Sequence, residues 1–399
     1  MNKKIPLGAA IAFMVVIAGI TFCITMMVSL NHFNTMVLNV KEREEQYKKL
    51  ADVDREVRQN FAGTIDEDYL SDAISSGFIR GLGDKYSSYL TREQYEERLL
   101  DQKGQRVSIG ITIEQDATGY PKVASVLENS PAALNGMLTG DLLISIDNID
   151  LKTSSISAAE KMLKGQPGTT IGVVFRRDGV DTALELQRKD MEMAYVSSRM
   201  IGRNGYIKID EFNEKTTDQF KRAVNQMISQ GANALIFDVR DNSSDSIDVA
   251  NDVLDILLPH GELGSIVDNT GVVPSSGTSD QYEIELPMCV LMNSRTSSAA
   301  EYFVGALMDF EKITSVGTTT YGKSAIQQLL PLNDGSAISL TVAHFLTPKG
   351  TDISNVGIKP TYEVKLSTEQ EQTFATLNED TDPQLKKAVE IANSLGGTD

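Results

Sequence analysis

Residues 288–310 read MCVLMNSRTSSAAEYFVGALMDF. The opening MCVLMN is an apolar run of strand length. SSAAEYFVGALMDF carries the spacing of a buried helix. The same strand-then-helix pattern occurs twice upstream: GYIKI leads to TTDQFKRAVNQMISQG, and ALIFDVR leads to DSIDVANDVLDILL. Three such units predict a largely parallel sheet covered by helices. PQLKKAVEIANSL adds one last helix before a polar tail. The third junction places Ser294, Thr296, Ser297 and Ser298 at the carboxyl edge of the sheet, with the helix starting near Ser297 or Ser298. Free N–H groups and the positive end of the helix dipole meet there. A hydroxyl in that place is either an N-cap or a nucleophile whose oxyanion those N–H groups stabilise.

A nucleophilic serine needs a base. The histidines are His32, just past an apolar run, His260 in LPHGE and His344 in SLTVAHFLTP. None is flanked by a motif that suggests a triad. The other available base is a lysine whose pKa is lowered by burial among apolar groups. TTYGKSAIQQLLPL offers Lys323 in an otherwise uncharged stretch, with Gln327 four residues on. If that segment is helical, the amide faces the amine and orients it. The plain alternative is a solvated surface lysine. GTTTYGKS, from Gly317 to Ser324, also matches the phosphate-cradling loop G-x-x-x-x-G-K-[ST]. Pro331 and Asn333-Asp334-Gly335 leave no room for the long helix such a loop needs. The nearest magnesium-binding aspartate candidate, Asp238, precedes the loop, and the topology described below puts the site away from ATP.

The chain has 399 residues, enough for two or three domains, and a formal net charge of −18. That charge repels nucleic acid, and no nucleic-acid partner is expected. Trp is absent, so no aromatic-rich platform for sugars or bases is read. Cys23 and Cys289 lie in separate apolar runs. They predict neither a disulfide nor a zinc site, and no metal or other cofactor is expected.

Residues 6–30 carry no charge and are long enough for a transmembrane helix. Lys3 and Lys4 precede that span, so the positive-inside rule puts the N-terminus in the cytoplasm and the bulk of the chain outside. Residues 1–34 are read as this anchor. Residues 35–104 form a helical region that begins with a charged stalk. Thr64 and Glu67 form an expected capping box, and Thr91 and Gln94 another. Ile65, Tyr69, Leu70, Ala73, Ile74, Phe78 and Leu82 share one helical face, suited to packing or to a homodimer. Residues 105–190 change to short β runs with two helices, the first started by Ser130-Pro131 and ended by Gly136. Residues 191–399 hold the βα units.

MNSRTSSAAEYFVGAL, then VGTTTYGKSAIQQLLPLNDGSAISLTVAHFLTPKG, resembles the carboxyl-terminal processing (tail-specific) serine peptidases. ENSPAALNGMLTGDLLISIDNIDL and AEKMLKGQPGTTIGVVFRR look like that family's PDZ domain, and IRGLGDKYSSYLTREQYEE like the stretch before it. The resemblance implies a multidomain α/β protein with a PDZ domain placed before a core of the crotonase/Clp-peptidase type. It assigns the nucleophile to Ser298 and the base to Lys323, 25 positions on. Gln327 becomes the residue that orients the base. The oxyanion hole falls on the N–H of Ala299 and, in DVRDNSSDS, of Ser244, where Ser244 and Asp245 stand in place of the family's glycines. In SIGITI the N–H groups of Ile109, Gly110 and Ile111 would hold a chain-terminal carboxylate. Lys164, where Arg is common, is the candidate for coupling the PDZ unit to the active site. The implied activity is extracytoplasmic endoproteolysis of proteins or peptides with free C-termini. The alternative is an impaired peptidase-like PDZ protein that binds C-termini as an adaptor.

Overall fold

The computed structural model describes residues 7–191 and 193–397. They divide into two compact units, 1–71 and 72–399. The first is dominated by one long helix, α1 (Leu7–Asn60). Among the described residues no helix is long and apolar enough to cross a membrane. The structure thus lends the expected transmembrane helix no support, and α1 runs unbroken from the apolar segment into the charged stalk. Lys3 and Lys4, which set the expected orientation, lie outside the described residues. The expected Thr64–Glu67 capping box is not formed. Helix α2 (Glu67–Arg80) takes its cap from Asp66, whose carboxylate accepts the Tyr69 N–H at 3.0 Å. Glu67 is drawn instead to Arg58 at 2.5 Å.

The second unit centres on a six-stranded sheet. Its order is Val196–Ile201, Asn204–Ile209, Ala234–Asp238, Met288–Met292, Ile313–Gly317 and Tyr362–Glu363. Only the first pair is antiparallel. Two helices follow the upstream strands, α6 (Thr216–Ser229) and α7 (Ile247–Leu257), and α8 (Ala299–Asp309) follows the strand of the opening stretch. These three helices cover one face and α10 (Pro383–Leu395) the other. The central strands therefore bury alternate residues on opposite sides. Leu235, Phe237, Val290 and Met292 face α6–α8, while Ile236, Cys289 and Leu291 face α10. This explains their unbroken apolar runs. Each such side chain contributes about 1.5–3 kcal/mol by burial. Asp238 pairs with Leu291, and Met292 with Gly317, so the strands end level and their following loops meet.

An antiparallel sheet adjoins this layer. Ala337–Leu346 pairs with Gly261–Asp268 and with Ala325–Pro331. The segment after Lys323 is thus a strand and not the helix considered above. Asn333-Asp334-Gly335 turns it back on its neighbour, with Gly335 at φ 90°, and a ladder partner outweighs weak local helix preference. Ser88–Leu90, just before α3 (Arg92–Gln102), joins the same sheet. α3 starts with the expected Thr91–Gln94 capping box. Residues 106–191 form a separate β unit rooted by the pair Arg106–Ser108 and Lys189–Met191. It carries α4 (Pro131–Leu134, capped by Ser130) and α5 (Ile156–Leu163). A short helix, α9 (Thr368–Gln372), precedes α10.

Candidate functional site

Ser298 sits just before α8 with φ 56° and ψ −116°, and it is 1% exposed. A side chain at that backbone position costs about 1–3 kcal/mol and persists only when neighbours over-determine it. The neighbours are visible. Ser297 N donates to Asn242 O at 2.9 Å, Thr296 Oγ1 to Val239 O at 2.9 Å, and Ser298 N to Glu301 Oε2 at 3.0 Å. Ser298 is therefore held at a sharp strand-to-helix turn, as the junction predicted.

Glu301 is fully buried and does more than cap. Its Oε2 also accepts the N–H of Lys323 at 2.8 Å, and its Oε1 accepts the N–H of Gly322 at 2.6 Å and the Thr320 hydroxyl. One carboxylate thus fixes the serine turn and the lysine loop together. Charge-assisted bonds of this kind are about twice as strong as neutral ones. The same bonds dispose of the phosphate-loop reading. The N–H groups that a phosphate would need are taken by Glu301, and a strand, not a helix, follows. The two glycines of the pattern have other causes. A Cβ on Gly317, at φ 135°, would lie 1.9 Å from Met292 O, and Gly322, at φ 87°, would bring one to 2.9 Å from Gly357 N. Glu301 was not read as a site residue, although Ser298-x-x-Glu301 has the capping-box spacing that would have flagged it.

The Lys323 side chain is only 13% exposed. Its Nζ donates to Gln327 Oε1 at 3.2 Å, so the expected pairing forms, though along the start of a strand and not on a helix. Gln327 Nε2 donates to the backbone carbonyl of Tyr86, which fixes the direction of the amide. The Tyr86 ring lies 5.2 Å from the amine. Asp84 ties this segment down by accepting the N–H of Ser87 at 3.0 Å and the Thr341 hydroxyl at 2.6 Å. Burial pushes the Asp84 carboxyl up, but hydrogen bonds from Ser87 and Thr341 outweigh it and hold the group below its usual value. The third partner of Lys323 Nζ is Asp245 Oδ1 at 2.7 Å, a contact that sequence reading did not foresee.

The loop after Val239 is pinned from both sides. Buried Arg240 donates to Asp238 Oδ1 at 2.9 Å, to Asp382 Oδ2 at 2.7 Å and to Gln384 Oε1 at 2.9 Å. Asn242 Nδ2 donates to Ile209 O at 3.0 Å. Neither Ser244 nor Asp245 needs a positive φ, so their side chains impose no strain where glycine is expected. Yet the two expected oxyanion donors are engaged. Ala299 N donates to Ser244 O at 2.9 Å, and Ser244 N to Asn242 Oδ1 at 3.1 Å. The oxyanion hole assigned by resemblance is thus not open in this arrangement. Ser244 turns its carbonyl towards α8 because its N–H and hydroxyl both bind Asn242.

In the smaller β unit, Ile111–Gln115 is an edge strand beside α5. Gly110 turns at φ 83°, where a Cβ would lie 2.2 Å from Ser130 Cβ. Ile109 is fully buried, and Ile111 pairs with Val126. Of the three N–H groups expected to bind a carboxylate, that of Gly110 donates to Ser108 Oγ at 3.0 Å. Lys164, at the end of α5, binds Glu97 of α3 and touches no residue of the serine site. Gln166 Nε2 donates to Glu96 Oε2 at 2.8 Å, and Arg98 on the same helix donates to Asp245 Oδ2 at 2.7 Å.

Residues 203–364 match the model of peptidase family S41, and residues 107–187 match a PDZ domain model. The carboxy-terminal-processing protease of Bartonella bacilliformis is 29% identical over 81% of this chain and 76% of its own length. The chloroplastic carboxyl-terminal-processing peptidase 2 of Arabidopsis thaliana is 30% identical over 78% of this chain and 63% of its own. The carboxy-terminal processing protease CtpA of Bacillus subtilis is 26% identical over 91% and 80%. A Bacteroides fragilis chain solved under the S41 protease name shares the fold. Its TM-score is 0.52 at 19% identity, over 81% of this chain and 90% of that one. Strained serine turn, lysine loop and PDZ unit all fall within these matches, and the chain belongs to peptidase family S41, as a C-terminal processing serine protease with a PDZ domain.

Proposed function

We propose that the chain cleaves protein substrates with a Ser298–Lys323 dyad. The observation that carries this reading is the Glu301 carboxylate, which binds the N–H of Ser298 and the N–H of Lys323 at once. As the Ser298 oxygen bonds to the peptide carbonyl carbon, its proton passes to the neutral amine of Lys323. The tetrahedral adduct collapses, the C–N bond breaks, and the leaving amine takes the proton. Water, deprotonated by the same amine, then frees the acyl group. Gln327 orients the amine, and the N–H groups of Ala299 and Ser244 serve the oxyanion once the loop 242–245 has moved. Each such donor is worth about 10²–10³ in rate.

The PDZ unit takes the substrate's C-terminus along the edge strand Ile111–Gln115, with Ile109, Gly110 and Ile111 at the carboxylate. Lys164 bears on the serine site only through α3. The exposed side chains of Tyr69, Ile74 and Phe78 on α2, with Leu82 in the turn after it, offer an apolar face to a second copy of the chain. Attachment to a membrane by the uncharged run 6–30, with the peptidase part outside the cytoplasm, has its support in the sequence. Alkaline extraction of membranes tests it, and release of the chain argues against it.

Turnover of an unstructured protein tests the chemistry. The wild-type chain is expected to cleave it in the presence of EDTA, and Ser298→Ala and Lys323→Ala to lose at least 10³-fold. Equal rates in all three overturn the dyad. A second reading, a C-terminus-binding adaptor without turnover, is favoured by the engaged N–H of Ala299. Peptide binding with no wild-type turnover under any condition selects it.

A further inference from the structure

We propose that Asp245 is a positioning residue that holds the Lys323 amine in a resting state, with Arg98 of α3 as its anchor. The proposal rests on Lys323 being the base. A base must meet the hydroxyl that it deprotonates, whereas here the amine donates to Asp245 Oδ1 at 2.7 Å and Gln327 Oε1 at 3.2 Å, neither of which belongs to Ser298. A charge-assisted bond at that distance restrains where the amine points. The two side chains are 13% and 20% exposed, so water screens the pair little.

The residue next to Asp245 closes the other half of the machinery. Ser244 O occupies the N–H of Ala299 at 2.9 Å. An oxyanion cannot approach a donor already covered by a carbonyl oxygen. The two blocks sit on consecutive residues of one loop, so a single withdrawal of 244–245 frees the amine and the oxyanion donor together. Arg98 donates to the second oxygen of Asp245 at 2.7 Å and is 41% exposed, so its hold is the weaker of the two. It nevertheless ties the loop to α3, which also carries Glu96 and Glu97 and their bonds to Gln166 and Lys164. A glycine at 245 would offer none of these contacts.

The opposite role would make Asp245 a productive third member of a triad, and the two roles differ in sign. Steady-state cleavage of an unstructured protein by the full chain separates them, together with fluorophosphonate labelling at Ser298. Asp245→Asn and Asp245→Gly are expected to raise kcat and the labelling rate about tenfold at unchanged KM, and Arg98→Ala by about two- to threefold. Arg98→Ala is expected to add nothing in the Asp245→Asn background, because Arg98 acts only through that carboxylate. Thermal midpoints confirm that the variants are folded, and the two replacements at 245 differ enough in backbone freedom to separate a loop effect from loss of charge. A kcat at or below wild type in both 245 variants overturns the proposal, as does an undiminished Arg98→Ala effect in Asp245→Asn. If wild type, Asp245→Asn and Ser298→Ala are all equally inert and unlabelled, the dyad itself falls and takes the latch with it.

Discussion

Ser298 shows how one residue is set against its own backbone. Its φ of 56° is tolerated because Glu301, Asn242 and Val239 fix the turn around it. A side chain costs about 1–3 kcal/mol there, and glycine escapes most of that cost. Ser298→Gly is therefore expected to stabilise the fold by roughly 1 kcal/mol, within the usual range for such sites, while turnover disappears. Paired urea unfolding and activity measurements check this, and a destabilised Ser298→Gly would mean that the serine hydroxyl supports the turn. At the same scale, Glu301 explains why a charged residue lies in the middle of an apolar helix start. Its partners are all donors, so it is fully satisfied although buried.

Elements decide what a substrate can reach. The edge strand Ile111–Gln115 has one free side, and Gly110 cannot carry a Cβ without striking Ser130. If the strand receives a peptide C-terminus, its affinity depends on the carboxylate. A peptide with a free C-terminus is expected to bind about 10–100-fold more tightly than its amide, the difference between a charge-assisted and a neutral acceptor. Fluorescence anisotropy with the two peptides tests this, and equal affinity moves the binding surface elsewhere. Much of this level was legible in the sequence. The βα units, α3 with its Thr91–Gln94 box and the Ser130-Pro131 start of α4 all form where composition and caps put them. What failed were choices that only a distant partner settles. AIQQLLP becomes a strand because SAISLTVAHFL lies across the turn to pair with it. Thr64 loses its cap because Glu67 prefers Arg58. The Asp245–Lys323 bond spans 78 positions, and no local pattern announces a contact at that range.

At the scale of the whole molecule, a buried ion network fastens the sheet to its last helix. Tyr206, Asp238, Arg240, Asp382 and Gln384 come from the second strand, the third strand and its loop, and the start of α10. Burial alone would push the Asp238 carboxyl up, but the Arg240 guanidinium outweighs it and holds the group below its ordinary value. The folded state thus favours the ionised form more than the unfolded chain does, whose aspartates titrate near 3.9. The stability from Asp238 is complete above that value and is lost as pH falls through the lower, folded one. Asp252 works the other way. Burial and then the neighbouring Asp248 and Asp255 push its carboxyl up, so acid relieves it, but it lies on the flank of α7, and its effect is the smaller. The wild-type midpoint of thermal unfolding is therefore expected to stay level from about pH 7 to 5 and to drop steeply below about pH 4. Asp238→Asn leaves Arg240 without its closest counter-charge and is expected to cost about 3–5 kcal/mol at pH 7. The same change removes the titrating group, so the gap between wild type and Asp238→Asn should narrow as the pH is lowered. A gap of constant size from pH 7 to 3 would show that packing at this position, and not its charge, joins the sheet to α10.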